Sequence, residues 1–154
     1  MEALSISVVD SAPRIYAYVR RLATLSSVPA VAASTPLWTK VLHLGLKSYS
    51  TPMVIFRDGA SDSLLADEEV TVEFGAELAE AFPGDPTLGC AETAAGRTAT
   101  ARFTGHYERL PDVHRAIRAW CAERGERLAG PVWEVFRWNY DPALLETDVY
   151  YLLG

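Results

Sequence analysis

Only two cysteines, Cys90 and Cys121, occur in 154 residues, and they stand in no CxxC or Cys/His arrangement. Neither a disulfide framework nor a metal site is therefore expected. Basic residues are scarce relative to acidic ones, 14 against 20, for a formal charge of -6. A chain whose main partner is nucleic acid needs a basic surface, so direct nucleic-acid binding is not expected. No run approaches the ~18 consecutive apolar residues that cross a bilayer. The opening residues, Met1 to Asp10, lack the basic-then-apolar order of a secretion signal. Ser/His/Asp triad spacing and glycine-rich phosphate loops are missing too, and no cofactor is expected. What remains is an ordinary globular balance, 49% hydrophobic and 22% charged. It implies one domain over residues 1–154, cytoplasmic and without a membrane association.

The chain carries a repeat. Arg14 to Arg20 and Arg97 to Phe103 both alternate with the period of a strand. After the first comes a Ser/Pro/Ala-rich connection and then Thr35-Pro36, a helix start, with Leu37, Val41 and Leu44 spaced along one face and Trp38 and Leu42 beside them. After the second, Leu110-Pro111-Asp112 leads into a helix marked by Val113, Ile117, Trp120 and Cys121 and stopped at Gly125. A proline-led apolar strand follows each helix, Pro52 to Phe56 and Pro131 to Phe136, and then a further strand, Glu69 to Phe74 and Thr147 to Leu152. The order is β-α-β-β twice. Phe82 to Pro86 begins the join, and the half-repeats run over about 1–82 and 88–154. Asp58 to Glu69 reads as a solvated hairpin tip. One helix on a small sheet buries too little apolar area to stand alone, so the halves should share a core in an α+β fold with a mainly antiparallel sheet.

The strands are apolar on both faces. In Trp133-Glu134-Val135-Phe136-Arg137-Trp138, Trp133 and Val135 point one way and Glu134, Phe136 and Trp138 the other. Thr147 to Leu152 divides into Val149 and Tyr151 against Asp148, Tyr150 and Leu152; Met53 and Ile55 oppose Val54 and Phe56. Two arrangements satisfy this pattern. Either both faces are covered, by helices or by a partner subunit, with Glu134 at an edge in water, or Trp133 and Val135 pack on a helix and the Glu134 face lines an aromatic cleft for a small molecule. An ionised glutamate in such a cleft must find water, an arginine, a proton or a cationic ligand, because desolvation without a partner costs several kcal/mol. The three histidines, His43, His106 and His114, read as surface or turn residues, and Trp120 as core.

Several stretches resemble the GyrI-like small-molecule-binding domain, the effector module of AraC-type and BmrR-type multidrug regulators. They are Arg97 to Glu108 with its Gly105-His106-Tyr107 turn, the Trp120 helix, Gly130-Pro131-x-x-Glu134-x-Phe136, Asp141-Pro142 and Thr147-Asp148-x-Tyr150. The resemblance is good over about residues 95–153 and looser before. It implies two β-α-β-β modules related by a pseudo-twofold axis, with a ligand cleft between the halves. It also implies that Glu134 is the buried acid facing the ligand. Phe136 stands where a tyrosine is usual, and Asp148 where a glutamate is usual. Tyr107, Phe136, Trp138 and Tyr150 are the implied walls, with Asp148 nearby and Trp38 and Phe56 as candidates from the first half. No helix-turn-helix pattern precedes the first strand, so a stand-alone member is expected. Three functions are open: binding hydrophobic, aromatic, often cationic compounds; hydrolysis of strained electrophiles such as cyclopropane-bearing natural products, with Glu134 as the catalytic base; and a gyrase-inhibitor-like interaction with a protein partner.

Overall fold

The computed structural model describes residues 4–154. Its strands are β1 (Ile6–Ser11), β2 (Ile15–Ala23), β3 (Ser48–Phe56), β4 (Val70–Leu78), β5 (Gly89–Glu92), β6 (Gly96–Thr104), β7 (Leu128–Arg137) and β8 (Glu146–Leu153). Its helices are α1 (Val28–Ala33), α2 (Leu37–His43), α3 (Asp62–Leu65) and α4 (Leu110–Glu123). All eight strands form one sheet in the order β1-β6-β8-β7-β3-β4-β2-β5, and every pairing is antiparallel. The fold is α+β, and its duplication is visible in the order itself. The set β3-β4-β2 runs outward from the centre on one side and β7-β8-β6 on the other, with β3 and β7 paired across the axis.

The repeat read from sequence omits one strand per half. β1 precedes β2 in the chain but pairs with β6, and β5 precedes β6 but pairs with β2. Each half thus lends its leading strand to the other. This exchange forces the sheet to curl. A flat sheet would hold β1 and β2 six strand spacings apart, roughly 29 Å, whereas the link from Ser11 to Ile15 can reach only about 14 Å. The two exchange links meet where the Arg14 amide donates to Thr93 Oγ1 at 2.8 Å and the Thr93 amide to the Arg14 carbonyl at 2.9 Å.

The two sheet faces divide as the alternation requires, but with the helices on the other side. Trp133, Val135, Met53, Ile55 and Tyr16 are buried together on the inner face, away from α4, and Trp133 stacks on Tyr150 at 5.3 Å. Val54, Phe56, Phe74, Val132, Val149 and Tyr151 face the helices, with Leu110, Val113, Ile117 and Cys121 of α4 packed on them. The Glu134 side is therefore the helix side. Pro111 and Asp112 open α4, and Gly125, at φ +65°, supplies the left-handed residue that ends it.

Two further expectations change. The first-half helix starts after Thr35-Pro36 as α2, but the Ser/Pro/Ala-rich connection before it also forms a short helix, α1, kept separate because proline cannot carry the ladder through. Leu37 and Val41 are buried while Leu42 and Leu44 are exposed. The supposed solvated tip at 58–69 contains α3, whose Leu64 enters the main core, and Arg118 of α4 ties it down through the Gly59 and Ser61 carbonyls at 2.7 and 2.6 Å.

Candidate functional site

Glu134 sits at the centre of β7, directly opposite Val54 of β3, so it lies almost on the axis relating the halves. Its side chain points to the helix face and is only 1% exposed. One oxygen, Oε2, lies 2.7 Å from Nε2 of His114, and Nδ1 of the same ring lies 2.8 Å from the Tyr151 hydroxyl. Burial pushes the Tyr151 phenol above the ordinary tyrosine range, with nearby Arg118 opposing the shift, so the phenol keeps its proton. With Nδ1 accepting from Tyr151 and Nε2 donating to the carboxylate, one tautomer of the ring satisfies all three groups on that side. The other carboxylate oxygen, Oε1, is buried and has no hydrogen-bond partner among the described residues.

That oxygen belongs to a residue lining a cavity of about 190 Å³. The walls are apolar: Leu25 and Val28 from the turn into α1, Trp38 of α2, Phe74 of β4, Phe136 beside Glu134, and Tyr107. Tyr107 follows Gly105, whose φ of +146° and amide donation to the Leu145 carbonyl turn the chain out of β6. Its ring meets Phe136 edge-on at 5.3 Å, and burial raises its phenol's pKa. The cavity takes walls from both halves and sits over the central strand pair, as a cleft between modules should.

Of the residues singled out from sequence, Glu134, Phe136, Tyr107 and Trp38 come together here. Asp148 and Tyr150 do not: they lie on the inner face, because strand alternation sends them opposite to Val149 and Tyr151. Asp148 is instead held by Arg102 at 2.7 Å and Arg137 at 3.4 Å. Trp138 lies beyond the end of β7, 66% exposed, in a groove outside the cavity. Phe56 is on the correct face but buried in the core, edge-on to His114. Trp120 packs against that core. The clearest miss is His114, read from sequence as a surface residue and found fully buried against Glu134. Its position held the signal. It falls four residues after Leu110 and three before Ile117, on the apolar stripe of α4, where a histidine has to find polar partners.

The sequence matches the GyrI-like small molecule binding domain over residues 5–153. The chain belongs to that family. A comparison with curated proteins gave no match. Among solved structures, this GyrI-like chain is similar to the EcmrR C-terminal domain, with a TM-score of 0.82 at 14% identity, covering 98% of each chain. In the EcmrR–DNA complex it covers 98% of its own length and 57% of the EcmrR chain, at 13% identity and TM-score 0.82. It is also similar to SAV2435, described bound to tetraphenylphosphonium, with TM-score 0.65 and 7% identity over 97% of this chain and 94% of that one. A hydrolase from Listeria innocua is similar at TM-score 0.58 and 9% identity, covering 97% of this chain and 91% of that one. At these identities the likeness is one of fold, and the GyrI-like site has to be argued from its own residues.

Proposed function

We propose that this GyrI-like chain binds hydrophobic, aromatic, cationic small molecules, with the cation drawn to Glu134. The single observation that carries the reading is the unpaired Oε1 of a fully buried carboxylate, in a cavity whose other walls are aliphatic and aromatic. An anion there lacks a full set of donors from the protein, and a cationic ligand supplies the missing partner. Aromatic walls add roughly 0.5–2 kcal/mol per well-placed ring to a cation's binding. Few directional donors line the cavity, which suits tolerance of many ligands. The tetraphenylphosphonium described with SAV2435 is a compound of this class. The test is a tryptophan-fluorescence titration with tetraphenylphosphonium and with neutral triphenylphosphine oxide. Glu134→Gln should weaken the cation about 30-fold and the neutral compound less than twofold. Equal losses for both would remove charge from the explanation.

A second reading is favoured by the ring behind the acid. Glu134 backed by His114 has the form of a general base, able to take a proton from water through Oε1 while the water oxygen bonds to a strained carbon and the ring bond breaks. Incubation with a cyclopropane-bearing aromatic electrophile distinguishes the readings: a ring-opened, water-added product formed by the wild type but not by Glu134→Gln supports hydrolysis, and unchanged ligand supports binding.

A further inference from the structure

The cavity is smaller than the ~300–1,000 Å³ usual for a drug-sized ligand, and beside it lies a groove of about 550 Å³ that shares Trp38, Pro52 and Phe136 with it. The groove exists because β3 and β7 are paired only from Met53↔Val135 inward. Past that point β3 bulges between Ser48 and Pro52, with Ser50 at φ +58°, and the strands no longer share a ladder. The groove is walled by Trp38 and Trp138, the hydroxyl residues Ser50 and Thr51, and two arginines, Arg14 and Arg137. Among its lining residues none is acidic. Arg14 spends one terminal nitrogen on Glu77 at 3.1 Å. Arg137 reaches Asp148 only at 3.4 Å, and that carboxylate is already held at both oxygens by Arg102, at 2.7 and 3.2 Å. Both guanidinium groups keep unused donors. Arg137 is three residues along β7 from Glu134, roughly 10 Å of strand, and leaves the opposite face, so it meets the groove only where β3 and β7 no longer pair.

We propose that this groove is a second subsite for an anionic group, so that the ligand class of the site is the elongated aromatic zwitterion, cation inward at Glu134 and carboxylate outward between Arg14 and Arg137. The proposal rests on the cation-binding reading above and specifies the other end of the ligand. It runs against the bulk charge: a chain at -6 attracts a plain cation at long range more than a zwitterion, so a preference for the zwitterion has to come from local contacts.

The experiment is an anisotropy titration of the full chain with a rhodamine carrying a free carboxylate and with its methyl ester, at low and high salt. The free acid should bind about fivefold tighter in the wild type. That ratio should fall to near one at high salt and in the double variant Arg14→Gln/Arg137→Gln. Each single variant should give an intermediate ratio, with circular dichroism reporting the fold. Equal binding of the two dyes, tighter binding of the ester, or a ratio that survives in the folded double variant overturns the subsite while leaving cation binding intact. Failure of both dyes to bind, or indifference of both to Glu134→Gln, overturns the cation reading itself and this proposal with it.

Discussion

Two glutamates in this protein are equally buried and differently provided for. Glu73 and Glu134 are each 1% exposed. Glu73, on the inner face of β4, accepts from the Tyr16 hydroxyl at 2.5 Å, from Arg57 at 2.8 Å and from Arg20 at 2.9 Å. Glu134, on the helix face of β7, has a single histidine and a free oxygen. The duplication sharpens the contrast. Glu73 pairs with Arg20 on β2 and lies beside Ile55 of β3; Asp148 pairs with Arg102 on β6 and lies beside Val135 of β7. Arg57 follows β3 as Arg137 closes β7, and each reaches the acid of its own half. Both halves thus carry one acid held by two arginines, at equivalent places. Glu134 has no such mate, since the equivalent position across the axis is Val54. Symmetry is kept where the carboxylates are saturated and broken where one is left open. The saturated acids hold the sheet together; the unsaturated one is the acid proposed to meet a ligand.

The comparison can be broken first at Glu73. Glu73→Ala leaves two arginines and a buried phenol without their acceptor, and should cost about 3 kcal/mol of folding stability by urea titration. The upper range is not reached because both arginines are half-exposed, and ligand affinity of the folded protein should be unchanged. Glu134→Gln is the inverse case. It should cost about 2 kcal/mol of cation affinity, while urea midpoints stay level or rise, since it removes a buried charge that had no full set of partners. A large stability loss there would place Glu134 with the structural acids. Asp148→Asn, the second-half counterpart of Glu73, should cost about 1 kcal/mol, because asparagine keeps an acceptor oxygen for the arginines and the position is less deeply buried than Glu73.

The smallest effect is in pH. Burial, helped by the Glu73 carboxylate, holds the Tyr16 phenol well above its ordinary value. The folded state therefore keeps a proton that the unfolded chain releases near pH ~10. The stability so conferred is complete below that value and is lost as pH rises above it. Between about pH 9 and about pH 10.5 the wild type should lose somewhat under 1 kcal/mol more than Tyr16→Phe does. Identical slopes would mean that the phenol titrates alike in both states.

Part of the candidate site was legible before the fold was known: strand alternation puts Glu134 and Phe136 on one face, and the resemblance adds Tyr107 after its glycine turn. Asp148 and Tyr150 were implied by the resemblance, and alternation within β8 does not say which of its faces matches the Glu134 face of β7. A shift of one residue in register exchanges faces, and only the pairing Val149 to Glu134 decides it. His114 lies twenty positions from Glu134, and nothing local joins them. The exchange of β1 and β5 was likewise hidden, since a lone strand of six residues or fewer carries no mark of its partner.

By itself, then, the order of residues determined the element types, the twofold repeat, the two-faced strands and the acid within an aromatic run, because each follows from periodicities of two and 3.6 residues and from where proline and glycine interrupt them. Tertiary structure alone decided which face took the helices, which acids acquired arginines, and that the histidine and phenol would stand behind Glu134. Those depend on strand register and on the curl imposed by the exchanged edge strands, and both are relations between segments far apart in the chain.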